Sequence, residues 1–225
     1  PVIRHGPAYL IGTIDRRENL GQSNHNPKIE MPMTDYTKWI AEAQGFYAEL
    51  DANNSKAWWE ENKSIYTDKL KAPALGLIDA LTPMLSELAD APITGKLFRP
   101  HRDVRFSKDK TPYKTHIHMT WQVNAGAPQN PVFFFGIGLD YVTTGAGMMG
   151  FEKPMLDDWR KFVDLDTKRI LGITDGLKSE GFTFREPALK RIPSGFAADH
   201  AAGDLLRMKG CIASQELRER DDLPN

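Results

Sequence analysis

The sequence has one cysteine, no long apolar run and no excess of charge of either sign. Cys211 alone cannot form an intrachain disulfide, and we predict a reducing, cytoplasmic setting. No stretch approaches the roughly 18 apolar residues that suggest a membrane-spanning helix, so we expect no membrane span. The chain of 225 residues carries 29 Lys and Arg against 30 Asp and Glu, a net charge of −1. Because nucleic-acid binding needs a broad cationic excess, nucleic acid is disfavoured as a partner, although it stays open.

No internal repeat divides the chain, and its length suits one domain. We expect residues 34–216 to form that domain and residues 217–225 to be a charged tail. Residues 1–33 are rich in Pro, Gly, Asn and Arg without a sustained hydrophobic period, so we predict a disordered or mis-called N-terminal extension. No pattern indicates a cofactor or an oligomeric state, and we predict no cofactor.

The hydrophobic pattern predicts helices first, then strands, then helices. Apolar residues follow helical spacing from Thr34 to Leu50, with Thr34 or Asp35 as the cap. A second helix, capped by Asn54 or Ser55, is predicted to continue to Leu70, and after an interruption at Pro73 a further helix extends to about Leu88. Thr115 to Val123 alternates apolar and polar residues, and Val132 to Val142 is more apolar, which predicts an antiparallel pair with a central second strand. We also predict a strand that starts at Leu97 and Phe98, helices at 155–163, 167–180 and after Asp199, and a short strand at 182–184. We therefore predict an α+β fold, in which N-terminal helices pack on a mainly antiparallel sheet, followed by C-terminal helices.

The positive charge of the chain is concentrated in residues 96–114, which we call the basic segment. It holds seven Lys and Arg against Asp103 and Asp109, a local charge of +5 that leaves −6 for the rest of the chain. Arginine binds carboxylate and phosphate oxygens through its planar fork, and lysine adds a point charge. We therefore predict an anion site whose ligands are Arg99, Arg102, Arg105, Lys108, Lys110 and Lys114.

Two other residues of the basic segment, and His116 just after it, are candidates for positioning or chemistry. We expect Asp103 to orient an arginine, and Tyr113 and His116 to complete the pocket. If the protein is an enzyme, Asp103, Tyr113 and His116 are the proton-transfer candidates. The favoured ligand is a small phosphate- or carboxylate-bearing molecule. The alternatives are a non-catalytic module that docks an acidic protein surface or nucleic acid, and a structural hub of ion pairs.

Three further patterns have a functional and a structural interpretation, and we favour the structural one for each. His116 and His118 share a strand face and, with His101 or Asp103, match a zinc site, but a solvated face is favoured and no metal is predicted. Gly145 to Gly150 formally matches the dinucleotide fingerprint GxGxxG, yet it follows an antiparallel pair, so a glycine-rich bend is favoured. Cys211 is interpreted as a structural thiol rather than a nucleophile paired with His200.

The stretch from Arg99 to Lys114, RPHRDVRFSKDKTPYK, resembles the signature of the DUF2461 family, a family of unknown function. Residues 46–63 resemble its opening helices, residues 145–160 its glycine-to-helix segment, and residues 190–209 its C-terminal part. The resemblance covers about residues 36–214. It implies a glycine-rich loop that leads into a helix near Pro154, and it implies no particular activity or catalytic residue.

Overall fold

Three helices open the described part of the chain, which in this computed structural model is residues 35–217. They are α1 (Tyr36–Ala52), α2 (Lys56–Ile65) and α3 (Ala72–Ala89), and a π-helical turn (Tyr66–Lys71) joins the last two. Asp35 caps α1 by accepting a hydrogen bond from the Lys38 N–H at 3.0 Å, and Ser55 caps α2. The predicted caps at Asp35 and Ser55 are confirmed.

The sheet contains six strands within the described residues: β1 (Ile93–Leu97), β2 (Ile117–Val123), β3 (Val132–Ile137), β4 (Val142–Met148), β5 (Thr183–Phe184) and β6 (Cys211–Glu216). Their order is β1-β2-β3-β4-β6-β5, and every neighbouring pair is antiparallel. The C-terminal helices are α4 (Lys153–Leu165), α5 (Thr167–Ser179) and α6 (Gly203–Arg207). The predicted α+β fold and the central place of β3 are confirmed.

The second predicted strand is wrong in its extent. A turn closed by the Gly138 N–H and the Tyr141 carbonyl, 2.9 Å apart, divides residues 132–142 between β3 and β4. The predicted glycine-rich bend lies mostly within β4, which ends at Met148. Gly147 has a φ of +142°, and a Cβ there would lie 2.0 Å from the Cys211 carbonyl oxygen, so only glycine allows the two strands to approach. An antiparallel strand also excludes the dinucleotide fingerprint, which needs a parallel βαβ unit.

Other boundaries differ from the predictions as well. A strand was predicted to start at Leu97, but Leu97 ends β1. The last helix begins at Gly203 rather than at Asp199, and β6 was not predicted. The predictions for residues 1–33 and for the tail lie outside the described residues, apart from Leu217.

All the helices that contact the sheet lie on one of its faces. The apolar positions of β2 face α1–α3, and the Trp121 indole donates to the Ile78 carbonyl at 3.2 Å. A second core forms around Trp159 and Leu206 of the C-terminal helices. The two cores share a sheet face. Residues that pair directly across neighbouring strands point to the same face, and the partners that follow from Trp121 end at Phe184, which packs on the second core. No helix among residues 35–217 is long and apolar enough to cross a membrane.

Candidate functional site

The basic segment folds back on itself as a hairpin that prolongs β1 and β2. The Arg102 N–H donates to the Pro112 carbonyl and the Lys114 N–H to the Pro100 carbonyl, both at 2.8 Å, and His101 pairs with Tyr113. Residues 96–101 and 113–116 form the base of the hairpin, and residues 102–112 form its tip. The base continues the sheet, whereas the tip extends beyond it.

Helix α2 and the turn before it hold the base in place. The Tyr113 ring is buried and stacks on Trp59, with centroids 4.3 Å apart and planes 13° apart. The Asn54 side chain donates to the Tyr113 carbonyl at 3.0 Å and accepts from the Tyr113 N–H at 3.1 Å. Burial and the nearby Glu60 raise the pKa of Tyr113, so its hydroxyl stays protonated. Tyr113 therefore anchors the hairpin on the helices.

The tip pairs its arginines with its own carboxylates. Arg105 forms two bonds to Asp103, from Nε to Oδ1 at 2.9 Å and from Nη2 to Oδ2 at 2.6 Å. Arg102 donates to Asp109 and to the Thr111 hydroxyl. The Arg105 side chain lowers the pKa of Asp103, and the Thr111 N–H, with Arg102, lowers the pKa of Asp109 to about 2. Asp103 thus orients an arginine as expected, and two of the six predicted anion ligands already have a counter-charge.

The tip is open surface. Phe106 is 97% exposed, and the side chain of Arg105 is 77% exposed. Lys108 is exposed, and the exposed Lys110 donates to the Val104 carbonyl at 2.9 Å. Exposed ion pairs contribute little to stability, so the pairs of the tip shape the loop more than they stabilise the fold.

Two cations of the base lie over the same aromatic ring. Lys96 Nζ lies 5.1 Å and Lys114 Nζ 5.8 Å from the centroid of Phe98. Neither lysine forms an ion pair with another residue between 35 and 217. Lys96 was not among the predicted ligands, although it is one of the seven cations of the basic segment. It lies on β1, opposite Thr120 of the polar face of β2. Arg99 is exposed near Asp103 and contributes to the lowered pKa of that carboxyl.

Two histidines continue this group along the free face of the sheet. His116 and His118 stack with ring centroids 4.1 Å apart, and His118 Nε2 lies 2.7 Å from the Tyr141 hydroxyl. Burial, followed by His116 and Lys114, lowers the pKa of His118 to about 4. Burial and Lys114 also lower the pKa of His116, so both imidazoles are neutral at pH 7. We call Lys96, Lys114, His116, His118 and Tyr141 the sheet-face cluster.

The structure does not support a zinc site at the histidines or a nucleophilic role for Cys211. His101 packs against Trp59 and Tyr113, on the helix side of the base, whereas His116 and His118 lie on the free face. Within residues 35–217 no group of three or more His, Cys, Asp or Glu side chains is arranged to hold a metal. Burial raises the pKa of the Cys211 thiol to about 12, which disfavours a nucleophilic thiolate. The predicted cytoplasmic setting stays a prediction.

Comparison with known proteins identifies the family. No curated protein and no solved structure matches the chain. A family model described as "Conserved hypothetical protein (DUF2461)" matches residues 42–223, which include all six strands and the whole basic segment. The chain therefore belongs to the DUF2461 family, as its stretch from Arg99 to Lys114 indicated.

Proposed function

We propose that the protein binds a small ligand bearing a phosphate or carboxylate group, and that the sheet-face cluster receives this anion. The observation that carries the proposal is the position of Lys96 and Lys114, whose ammonium groups lie within 6 Å of the Phe98 centroid. An anion that binds beside this ring is attracted by both ammonium groups. The ring supports both ammonium groups through cation–π attraction and leaves their N–H donors free for the ligand.

The other predicted cations have less direct roles in this proposal. Arg99 extends the positive surface from the cluster towards the tip. Lys108 and Lys110 raise the local potential and so attract anions from a distance. Arg102 and Arg105 donate their hydrogen bonds to the carboxylates of the tip and so hold the loop in one conformation.

If the bound ligand reacts, His116 is the proton-transfer group that we propose. Its imidazole is neutral and half-buried, and it lies next to Lys114. A bound anion offsets the positive charge of Lys114 and brings the pKa of His116 closer to neutrality, where acid–base catalysis is most effective. Asp103 is engaged by Arg105 at the tip, and the Tyr113 ring lies against Trp59, so neither faces the cluster.

The experiment is a titration of ¹⁵N-labelled protein with inorganic phosphate and, separately, with citrate. We expect saturable shifts of the amide signals of residues 114–118. Lys114→Ala weakens binding about tenfold or more, because a hydrogen bond to a charged group contributes roughly 1.5–3 kcal/mol. Equal affinity of the variant and the wild type for both anions contradicts the proposal.

Two control variants test whether binding depends on the sheet-face cluster or only on the overall positive charge of the protein. Lys153→Ala removes an exposed lysine of α4 and leaves anion affinity unchanged. Arg105→Ala removes a paired arginine of the tip and changes affinity less than about threefold. If Arg105→Ala lowers anion affinity as much as Lys114→Ala does, the anion binds at the tip, and the assignment to the sheet-face cluster is wrong.

A second candidate function, docking of an acidic protein surface, rests on Phe106. This side chain is 97% exposed and follows the exposed Arg105, with Lys108 two residues later. An aromatic anchor surrounded by cations is the arrangement that interface hot spots favour. The probe is a peptide that carries both leucines and glutamates, measured by fluorescence anisotropy.

Phe106→Ser distinguishes this candidate from the first. We expect it to weaken binding of the leucine–glutamate peptide several-fold while the affinity for phosphate is unchanged. Binding of a single-stranded oligonucleotide in preference to the peptide favours nucleic acid instead. Unchanged peptide binding by Phe106→Ser rules out the docking role for the tip.

A further inference from the structure

A cavity of about 310 Å³ lies on the helix-facing side of the sheet, between α3 and α5. Its lining includes Trp159 of α4 and Ile170 of α5, which belong to the second core on the helix-facing side. The sheet-face cluster lies on the opposite, free face, because His116 and His118 alternate with the core residues Ile117 and Met119 of β2. The cavity is therefore a site apart from the sheet-face cluster.

Small residues in the middle of the sheet create this space. Phe133, Ala146, Ala213 and Phe184 are successive partners across β3, β4, β6 and β5, so their side chains form one row on the same face. The small side chains of Ala146 and Ala213, between the rings of Phe133 and Phe184, leave a depression in the sheet surface that forms the bottom of the cavity. A larger residue at either alanine would fill it, as interiors are normally packed without such gaps.

Apolar stripes of two helices form the walls. Leu85 and Leu88 of α3 line one side. On the other side Ile170, Ile173 and Leu177 of α5 recur at helical spacing. Ile173 and Leu177 are half-buried rather than fully buried, so the cavity opens to solvent along the outer part of α5.

The polar groups of the lining already have partners. The Thr174 hydroxyl donates to the Leu171 carbonyl and the Thr144 hydroxyl to the Phe134 carbonyl, both at 3.1 Å. The Trp159 indole donates to the Leu205 carbonyl at 2.9 Å. The lining contains no Asp, Glu, Lys, Arg or His. A charged or strongly polar ligand would lose its hydration here without compensation, so the site selects for hydrocarbon.

The shape of the cavity favours a chain over a compact ring. Its lining extends over five neighbouring strands, from Val123 on β2 to Phe184 on β5. That span is roughly 19 Å at about 4.8 Å between strands. A volume of about 310 Å³ spread over that length describes a narrow, elongated space.

We propose that this cavity binds the alkyl or acyl chain of a lipid-like molecule, with the polar end of that molecule at the opening beside α5. The chain lies over Ala146 and Ala213 and contacts the apolar stripes of α3 and α5. Nothing in this proposal depends on anion binding at the sheet-face cluster.

The test is a titration of methyl-labelled protein with 1-decanol, with naphthalene as the compact comparison. We expect saturable shifts of the Ile170 and Ile173 methyl signals and none for Ile65, an exposed residue of α2. Decanol binds at least tenfold more tightly than naphthalene. Absence of saturable shifts at Ile170 and Ile173, or tighter binding of naphthalene, overturns the proposal.

Ala146→Leu tests the position of the chain, with Ala41→Leu on the exposed surface of α1 as the matched control. We expect the first variant to lower decanol affinity at least tenfold and the second to leave it unchanged. Equal affinity in Ala146→Leu and wild type overturns the proposal. If Ala146→Leu does not fold, the wild-type methyl shifts decide the matter alone. Lys114→Ala, which tests anion binding, leaves decanol affinity unchanged, so failure of one proposal is distinct from failure of the other.

Discussion

The base and the tip of the basic hairpin carry the same kinds of side chain in opposite electrostatic settings. At the tip each arginine faces a carboxylate only a few residues away, so Arg105 and Arg102 are neutralised locally. At the base Lys96 and Lys114 share one phenyl ring and have no carboxylate partner among residues 35–217. Charge density along the sequence is high in both regions, but both arginines of the tip have a local counter-charge, whereas Lys96 and Lys114 of the base have none among residues 35–217. The presence or absence of a local counter-charge therefore indicates the anion site better than the number of cations does.

The largest expected effect concerns the contact that holds the base on the helices. Trp59→Ala removes the ring that stacks on Tyr113 and also contacts Tyr66 and Phe46. Loss of a buried tryptophan side chain costs about 3–5 kcal/mol of unfolding free energy. Urea denaturation measures this loss, and amide hydrogen exchange at residues 113–116 shows whether the base opens with it.

The neighbouring tryptophan is the matched control for this variant. Trp58 is half-buried, one residue away on the same helix, and contacts Phe46 rather than Tyr113. Trp58→Ala should therefore lower the unfolding free energy clearly less than Trp59→Ala and leave amide hydrogen exchange at residues 113–116 slow. If the two variants lose equal stability and open the base equally, α2 does not anchor the hairpin through Trp59.

The next effect separates the sheet-face cluster from the tip by the pH at which a group of each titrates. The folded protein holds the pKa of His118 near 4, against 6.5 for the exposed group. The unfolded chain therefore takes up the proton first, and stability falls as the pH drops from about 6.5 to 4. Because His118 is only partly buried, we expect a loss on the order of 1 kcal/mol rather than the full value of the shift.

Asp109 at the tip titrates in a lower window. Its pKa is lowered from 3.8 to about 2, so the stability it provides is present above pH 4 and is lost as the pH falls towards 2. Urea unfolding over pH 2–7 should show a flatter curve above pH 4 for His118→Gln and a flatter curve below pH 4 for Asp109→Asn. Identical curves for His118→Gln and wild type between pH 4 and 6.5 would contradict the assigned environment of His118.

The same contrast explains which features were predictable from the sequence. The alternation of β2 from Ile117 to Val123 follows from one buried face, and that pattern is local. The pairing of Arg105 with Asp103 was also predictable, because only Val104 lies between them. The position of Lys96 and Lys114 at the same Phe98 ring depends instead on the register between the two arms of the hairpin, which no short sequence pattern encodes.

The strands that escaped prediction lack an apolar pattern of their own. In β4, Gly145 and Gly147 have no side chain, so the segment has the composition of a loop. Its strand conformation comes from pairing with β3 on one side and β6 on the other. The cavity escaped prediction for a related reason, since it depends on Ala146 and Ala213 lying side by side on two strands that are distant in sequence. Long-range pairing is the physical factor that single-sequence patterns miss.

The smallest expected effect is at the tip, where Phe106→Ser should leave the unfolding free energy within about 0.5 kcal/mol of wild type. Its ring is 97% exposed and contacts mainly the Arg105 guanidinium, 5.9 Å from the ring centroid, so folding buries almost none of it. Urea denaturation tests this, with Phe135→Ser as the contrast, because Phe135 stacks on Trp39 in the core and its loss should be severe. A loss above about 1 kcal/mol in Phe106→Ser would mean that the ring packs against the protein. In that case the aromatic side chain would not be available to a partner, and the docking role of the tip would fail while the anion site at the base would be unaffected.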